Sequence, residues 1–334
     1  MAVWEDQLRF FQVRMWEPKN LTGFAGDAGN ASGLQQDFQE FKKVLPSMEG
    51  VHYLKADGTE VYGVYKHDVC YVERDGVKRT LQMIVPEMKP DKNYTYPAIL
   101  YVQGSAWMKQ DNYKRLGVMA RLAQRGYVTA ILQYRESSIA SYPAPVEDAK
   151  TGVRFLRMHA EEYHIDPENI VIMGDSSGGH TALAAGITAE EDCMDTESYS
   201  GVSCSVKAIV DLYGVTDICQ KTDFPTTPNQ GEPDSPEGML IGGNNVYEHP
   251  ELSGPVIISN YVKAEKEIPP ILMMHGTADD TVSCDQSIRL YKKFLEEGKN
   301  VTFYLVENAG HGDIAFWTEK NMDIIDGFIR KYIS

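Results

Sequence analysis

The stretch Asn169–His180, NIVIMGDSSGGH, decides how the rest of the chain is read. It opens as a β-branched, apolar run, closes in small residues, and leads into HTALAAGITAE. A short apolar run bounded by glycine reads as a buried strand, and the Ala/Leu-rich continuation reads as a helix. Between them Gly174-Asp175-Ser176-Ser177-Gly178 fits G-x-S-x-G. That pattern is weak alone and gains force from its strand-to-helix setting. It needs a sharp corner whose strained backbone leaves no room for Cβ atoms beside the serine. Only Ser176 has glycine two places before and two after, so Ser176 is the corner residue. Ser177 then offers its backbone N–H at a helix start, where the helix dipole favours negative charge. A phosphate-binding turn is disfavoured, because no lysine stands at the Walker position and the glycine spacing is wrong for a dinucleotide fold.

Outward from this corner, strands and helices take turns. PAILYVQG, YVTAILQYR, VKAIVDLYG, PPILMMHG and VTFYLVENAG read as further strands. LGVMARLAQRG, SIRLYKKFLEEG and NMDIIDGFIRKYI read as helices, as does the segment from Val146, whose Val146, Ala149, Val153, Leu156, Ala160 and Tyr163 share one face. Alternation with unbroken apolar strands predicts an α/β fold: a mostly parallel central sheet with helices on both faces. Ahead of it, VCYVERDG and VKRTLQMIVPEM flank an Asp75-Gly76 turn, so an antiparallel hairpin is expected at one edge. Residues 1–50 are irregular and form an N-terminal extension, open to a role as a lid through Trp4, Phe10, Phe11 and Trp16 or as an interface segment. The catalytic domain then covers 51–334, with a Pro/Asp/Gly/Asn-rich insertion at about 215–267.

The 334 residues carry 43% hydrophobic and 24% charged residues, ordinary for a globular enzyme able to bury a large core. A net charge of −16 argues against nucleic acid and against an anionic membrane surface. No apolar run reaches the ~18 residues of a membrane span, and acids and arginines interrupt the first twenty positions where a signal peptide needs an apolar segment. Five scattered cysteines without CxxC spacing suit a reducing compartment, so a cytoplasmic location is expected. The sequence leaves assembly into a homo-oligomer open.

A serine hydroxyl is a poor nucleophile until a base takes its proton. On a strand–corner–helix nucleophile the partners follow in the order serine, acid, histidine, each on a loop after a strand. His311 in ENAGHGD is the base that fits, and Asp279 in HGTADDTV is the acid, with adjacent Asp280 as its rival. His275 is assigned to holding the acid loop. The second oxyanion donor is expected in the loop after the first central parallel strand, Gln103-Gly104-Ser105-Ala106-Trp107. Its backbone N–H groups suffice, with Ser105 preferred, then Ala106 or Gly104. Trp107, with Gln103, is placed either along the substrate pocket or in loop packing. His180, Asp148 and Arg135 read as buried structural groups. No metal or organic cofactor is required, since the histidines lack HExxH-type spacing.

These motifs resemble the esterase/lipase group of α/β-hydrolases, especially the branch of bifunctional feruloyl and acetyl-xylan esterases. GDSSGGH is similar to that branch's elbow, with Ser177 where alanine is usual. YPAPVEDAKTGVRFLRMHAEEYHIDPENIVIMG, SPEGMLIGG, HPELSGPVIISNYV, HGTADDTV and AGHGD match its further motifs, over roughly residues 60–334. The departure is Gln103-Gly104-Ser105-Ala106-Trp107 where relatives carry His-Gly-Gly-x-Trp. The resemblance implies an α/β-hydrolase fold and hydrolysis of acetyl or hydroxycinnamoyl esters on carbohydrate, a small-molecule or oligosaccharide substrate. An amide-directed serine hydrolase, peptidase or arylformamidase, and a non-catalytic hydrolase fold that binds a ligand are the alternatives.

Overall fold

The computed structural model describes residues 52, 54, 61–87, 94–189, 191–220 and 230–333. The N-terminal extension with its four aromatics, and residues 221–229 of the insertion, lie outside the described residues.

Eight strands form one sheet: β1 (Tyr62–Arg74), β2 (Val77–Glu87), β3 (Tyr96–Val102), β4 (Val128–Leu132), β5 (Ile165–Asp175), β6 (Ile209–Leu212), β7 (Ile271–Gly276) and β8 (Val301–Val306). Their order across the sheet is β1-β2-β4-β3-β5-β6-β7-β8. The β1–β2 and β2–β4 pairs are antiparallel and all others parallel, so the expected hairpin occupies one edge. Its turn places Asp75 at φ 53° and Gly76 at φ 73°, the double left-handed geometry that suits the twist of a two-residue hairpin.

The helices are α1 (Leu116–Gln124), α2 (Ala144–Met158), α3 (Ser177–Ile187), the short α4 (Pro236–Leu240) and α5 (Pro250–Ser253), α6 (Cys284–Glu296) and α7 (Glu319–Arg330). Because side chains alternate along a strand, each central strand feeds two cores. Ile170 and Ile172 of β5, with Leu100 of β3, pack beneath Val146, Val153 and Leu183 of α2 and α3. Val171, Met173 and Tyr101 pack on the other face against Met119 of α1 and Ile325 of α7. Full burial of each such aliphatic side chain contributes roughly 1.5–3 kcal/mol, so the four buried residues Ile170–Met173 alone outweigh any local preference of the strand. Between Tyr96 and Ala98 the β3–β5 register slips, where Asp166 bends the entry to β5 by accepting Glu168 N–H at 3.0 Å.

Described residues of the insertion pack at one end of the sheet. Val215, Ile218, Leu240, Ile241, Val246 and Val256 form a third apolar cluster with Trp107 and Val282. Trp107 follows β3 and Val282 follows β7, so this cluster ties two loops at the same sheet end.

Candidate active site

The corner at Ser176 is built by close backbone approach. Ser176 adopts φ 52° and ψ −127°, a conformation a non-glycine residue holds only when its surroundings fix it. A Cβ on Gly174 would overlap the Gly178 carbonyl, and one on Gly178 would overlap the Val102 carbonyl of β3. Both glycines are therefore required by contact: α3 starts pressed against β3 and β5, and Ser176 stands at the apex, half-buried.

Residues from three separate loops meet at that apex. His311, in the loop after β8, places Nε2 2.9 Å from Ser176 Oγ. Its Nδ1 lies 2.8 Å from Asp279 Oδ2, in the loop after β7. With Nδ1–H donating to the carboxylate, Nε2 is the acceptor facing the serine hydroxyl. The Asp279 side chain is fully buried, its Oδ1 accepting the Thr281 and Val282 N–H groups at 2.9 Å each. Burial pushes this carboxyl upward, but hydrogen bonds from His275 and His311 outweigh it and hold the group well below the usual carboxylate range. Asp280 is exposed and receives only a 3.4 Å bond from Thr281 Oγ1, so the geometry separates the two rival acids.

His275 braces the acid loop from below. Its Nδ1 meets Ser287 Oγ at 2.7 Å, and its Nε2 faces the Val282 carbonyl at 2.9 Å and Asp279 Oδ2 at 3.2 Å. Tyr213 backs His311 with ring centroids 5.0 Å apart and donates its hydroxyl to Asp175 Oδ2 at 3.0 Å. Arg115 reaches the same oxygen at 3.3 Å while lying over the Trp317 ring. Arg115 and Tyr213 escaped the sequence reading, because only the fold brings them onto Asp175. Asp175 itself carried a signal: it is the residue directly before the apex serine.

Two of the four expected oxyanion donors, both in the loop after β3, already have acceptors. Gly104 N–H donates to Asp175 Oδ1 at 2.6 Å, and Ser105 N–H donates to Ser177 Oγ at 2.9 Å. Both N–H groups are thus engaged by side chains that flank the apex serine. Among the described residues, no acceptor is paired with the N–H of Ala106 or Ser177. Ala106 stands at φ 55°, and its N–H follows directly after the two engaged ones. For Trp107 and Gln103, placed either along the pocket or in loop packing, the burial favours packing. Both are buried, at 1% and 3% exposure, with Trp107 packed edge-on to His180 at 5.3 Å between ring centroids. The indole packs on the insertion's apolar cluster. His180 is buried, its Nε2 facing the Val256 carbonyl at 2.9 Å, and burial lowers its pKa to about 4, so it is a neutral strut. Asp148 is fully buried and accepts the Arg135 backbone N–H at 2.7 Å and its Nε at 2.9 Å, as its reading as a buried structural group requires.

Among known proteins, residues 82–294 match the BD-FAE family. Esterase LipC of Mycobacterium tuberculosis is 26% identical over 233 residues, covering 69% of this chain and 54% of its own. The isoprenylcysteine α-carbonyl methylesterase ICME of Arabidopsis thaliana is 28% identical over 224 residues, covering 65% of this chain and 51% of its own. The chain thus spans about half the length of these two curated relatives. A solved structure described as a truncated form of carbohydrate esterase from gut microbiota superposes with a TM-score of 0.71 at 27% identity, covering 83% of this chain and 99% of that one. The family match takes in the β2–β7 core, the apex serine and the acid loop, and the chain belongs to the BD-FAE family of α/β-hydrolase esterases.

Proposed function

We propose that the protein is a serine carboxylesterase that removes acetyl or hydroxycinnamoyl groups from carbohydrate through an acyl-enzyme. The observation that carries this reading is the hydrogen-bonded row Ser176 Oγ–His311 Nε2 at 2.9 Å and His311 Nδ1–Asp279 Oδ2 at 2.8 Å. In that row His311 Nε2 takes the hydroxyl proton as Ser176 Oγ attacks the ester carbonyl. Asp279 fixes the imidazole tautomer and stabilises the imidazolium that forms. The developing oxyanion is received by the N–H groups of Ser177 and Ala106, the two that carry no other acceptor among the described residues. His311 then gives its proton to the departing alcohol and next activates a water, which releases the acid and restores Ser176.

The carbohydrate direction is supported by the superposed carbohydrate esterase structure, at 27% identity over nearly all of that chain. A cytoplasmic location is proposed with it, supported by five cysteines scattered along the chain without CxxC spacing. Among the described residues, no helix is long and apolar enough to cross a membrane.

The test is turnover of acetylated xylo-oligosaccharides, feruloyl esters and short nitrophenyl esters, beside N-formylkynurenine and amino-acid anilides. Esters should be cleaved and amides left intact, and Ser176→Ala should abolish both turnover and labelling by a fluorophosphonate. Labelling that persists in that variant, or faster cleavage of the amides, refutes the reading.

A further inference from the structure

The apex serine is flanked by two side chains that the hydrolytic steps do not use, and both grip the same loop. Asp175, just before it, holds the Gly104 N–H at 2.6 Å, and Ser177, just after it, holds the Ser105 N–H at 2.9 Å. The Ser177 side chain is shut away from solvent, with 1% of the residue exposed. Its hydroxyl belongs to a polar knot under the loop. Tyr134 lies against both serines, its hydroxyl 2.8 Å from Ser105 Oγ and donating to the Gln103 carbonyl at 3.1 Å. Ser105 Oγ in turn donates to the Met108 carbonyl at 2.6 Å.

What the knot holds is strained. Ala106 and Trp107 both sit at φ 55°, a left-handed conformation that persists in non-glycine residues only where neighbours over-determine it. On the far side, the Trp107 carbonyl is held by Ser137 through its N–H at 2.8 Å and its Oγ at 3.2 Å. On the near side, the fixed points are the Gly104 and Ser105 N–H groups. The strained residue between them, Ala106, carries the N–H assigned to the oxyanion.

We propose that Ser177 is a positioning residue whose hydroxyl clamps Ser105 so that the Ala106 N–H stays aimed at the reacting carbonyl oxygen. The inference rests on the proposed ester hydrolysis and adds a role for a side chain that takes no part in the proton transfers. Without the hydroxyl, the Ser105 N–H turns to water, Ala106 relaxes toward negative φ, and one oxyanion donor is withdrawn. Such a loss acts on the transition state and leaves ground-state binding alone.

The experiment measures kcat and KM on a short nitrophenyl ester, with thermal melting as the check on folding, for Ser177→Ala, Ser177→Thr and Ser176→Ala. Ser177→Ala should lower kcat by about 10- to 100-fold with KM within about twofold. Ser177→Thr, which keeps the hydroxyl, should recover most of that loss. An unchanged kcat in Ser177→Ala overturns the proposal. A raised kcat also overturns it, because the hydroxyl would then be competing with the oxyanion for the Ser105 N–H. Equal loss in the Ala and Thr variants overturns it as well, since the hydroxyl would not be the agent. Turnover surviving in Ser176→Ala would instead sink the proposed hydrolysis itself, a result distinct from all of these.

Discussion

Asp211 sits fully buried on β6 beneath the start of α3, and among the described residues neither carboxyl oxygen has a hydrogen-bond partner. A Cβ on either Gly179 or Gly214 would overlap this carboxyl, so the pocket around it is closed by main chain. Burial raises its pKa to about 7, the nearby Asp175 charge adds to the rise, and the Gly214 N–H opposes it without making a well-formed hydrogen bond. The consequence for stability has a definite sign. Below the unfolded value of 3.8 both states hold the proton. As pH rises from there, the unfolded chain ionises freely while the folded chain keeps its proton, so stability is lost progressively until the folded group ionises near pH 7. A carboxyl displaced from 3.8 to about 7 costs about 4 kcal/mol in full, of which about 3 falls between pH 5 and pH 8.5. Asp211→Asn keeps the shape of the protonated form and removes the titration. Urea unfolding of both proteins across that range should therefore show the variant gaining about 3 kcal/mol on the wild type as pH rises. Any fixed cost of the amide cancels in the comparison. A stability difference that stays flat with pH would refute the reasoning, because Asp211 could not then be held neutral in the fold.

Three further outcomes follow from the site. Asp279→Asn leaves His311 in the wrong tautomer and should lower kcat on a nitrophenyl ester by about 10⁴-fold, whereas exposed Asp280→Asn should stay within about twofold. Equal losses in the two would contradict the assignment of the acid. Gly178→Ala drives a Cβ into the Val102 carbonyl and should destabilise by more than about 3 kcal/mol, read as failure to accumulate folded protein or as a lowered unfolding midpoint. His275→Ala strips partners from the Val282 carbonyl and Ser287 hydroxyl and should cost about 3 kcal/mol in urea unfolding, with kcat falling as the Asp279 loop loosens.

The sheet was legible because its central strands are apolar on both faces, and that pattern survives translation into sequence without loss. Ser176, Asp279 and His311 were legible for another reason: chain order and strand-end placement constrain where a nucleophile can find its base and acid. The engaged N–H groups of Gly104 and Ser105 were not legible. Their partners lie 71 and 72 residues away in the chain, and which N–H a side chain takes depends on sub-ångström approach between β3 and β5. Trp107 looked equally suited to a pocket wall or to packing, since an indole serves either, and only the apolar cluster of the insertion decides for packing. Asp211 gave no signal either: a lone acid within VKAIVDLYG carries no mark of burial, and the fold buries it.

The apolar cluster that joins Trp107, Val256 and Val282 makes the insertion a shared foundation for two loops with different chemical duties. Evolution or engineering that reshapes this segment acts on both loops at once. A volume change there bears on both the loop after β3 and the loop after β7. Selectivity and rate are therefore expected to shift together when this cluster is reshaped, unless a compensating residue restores the lost volume.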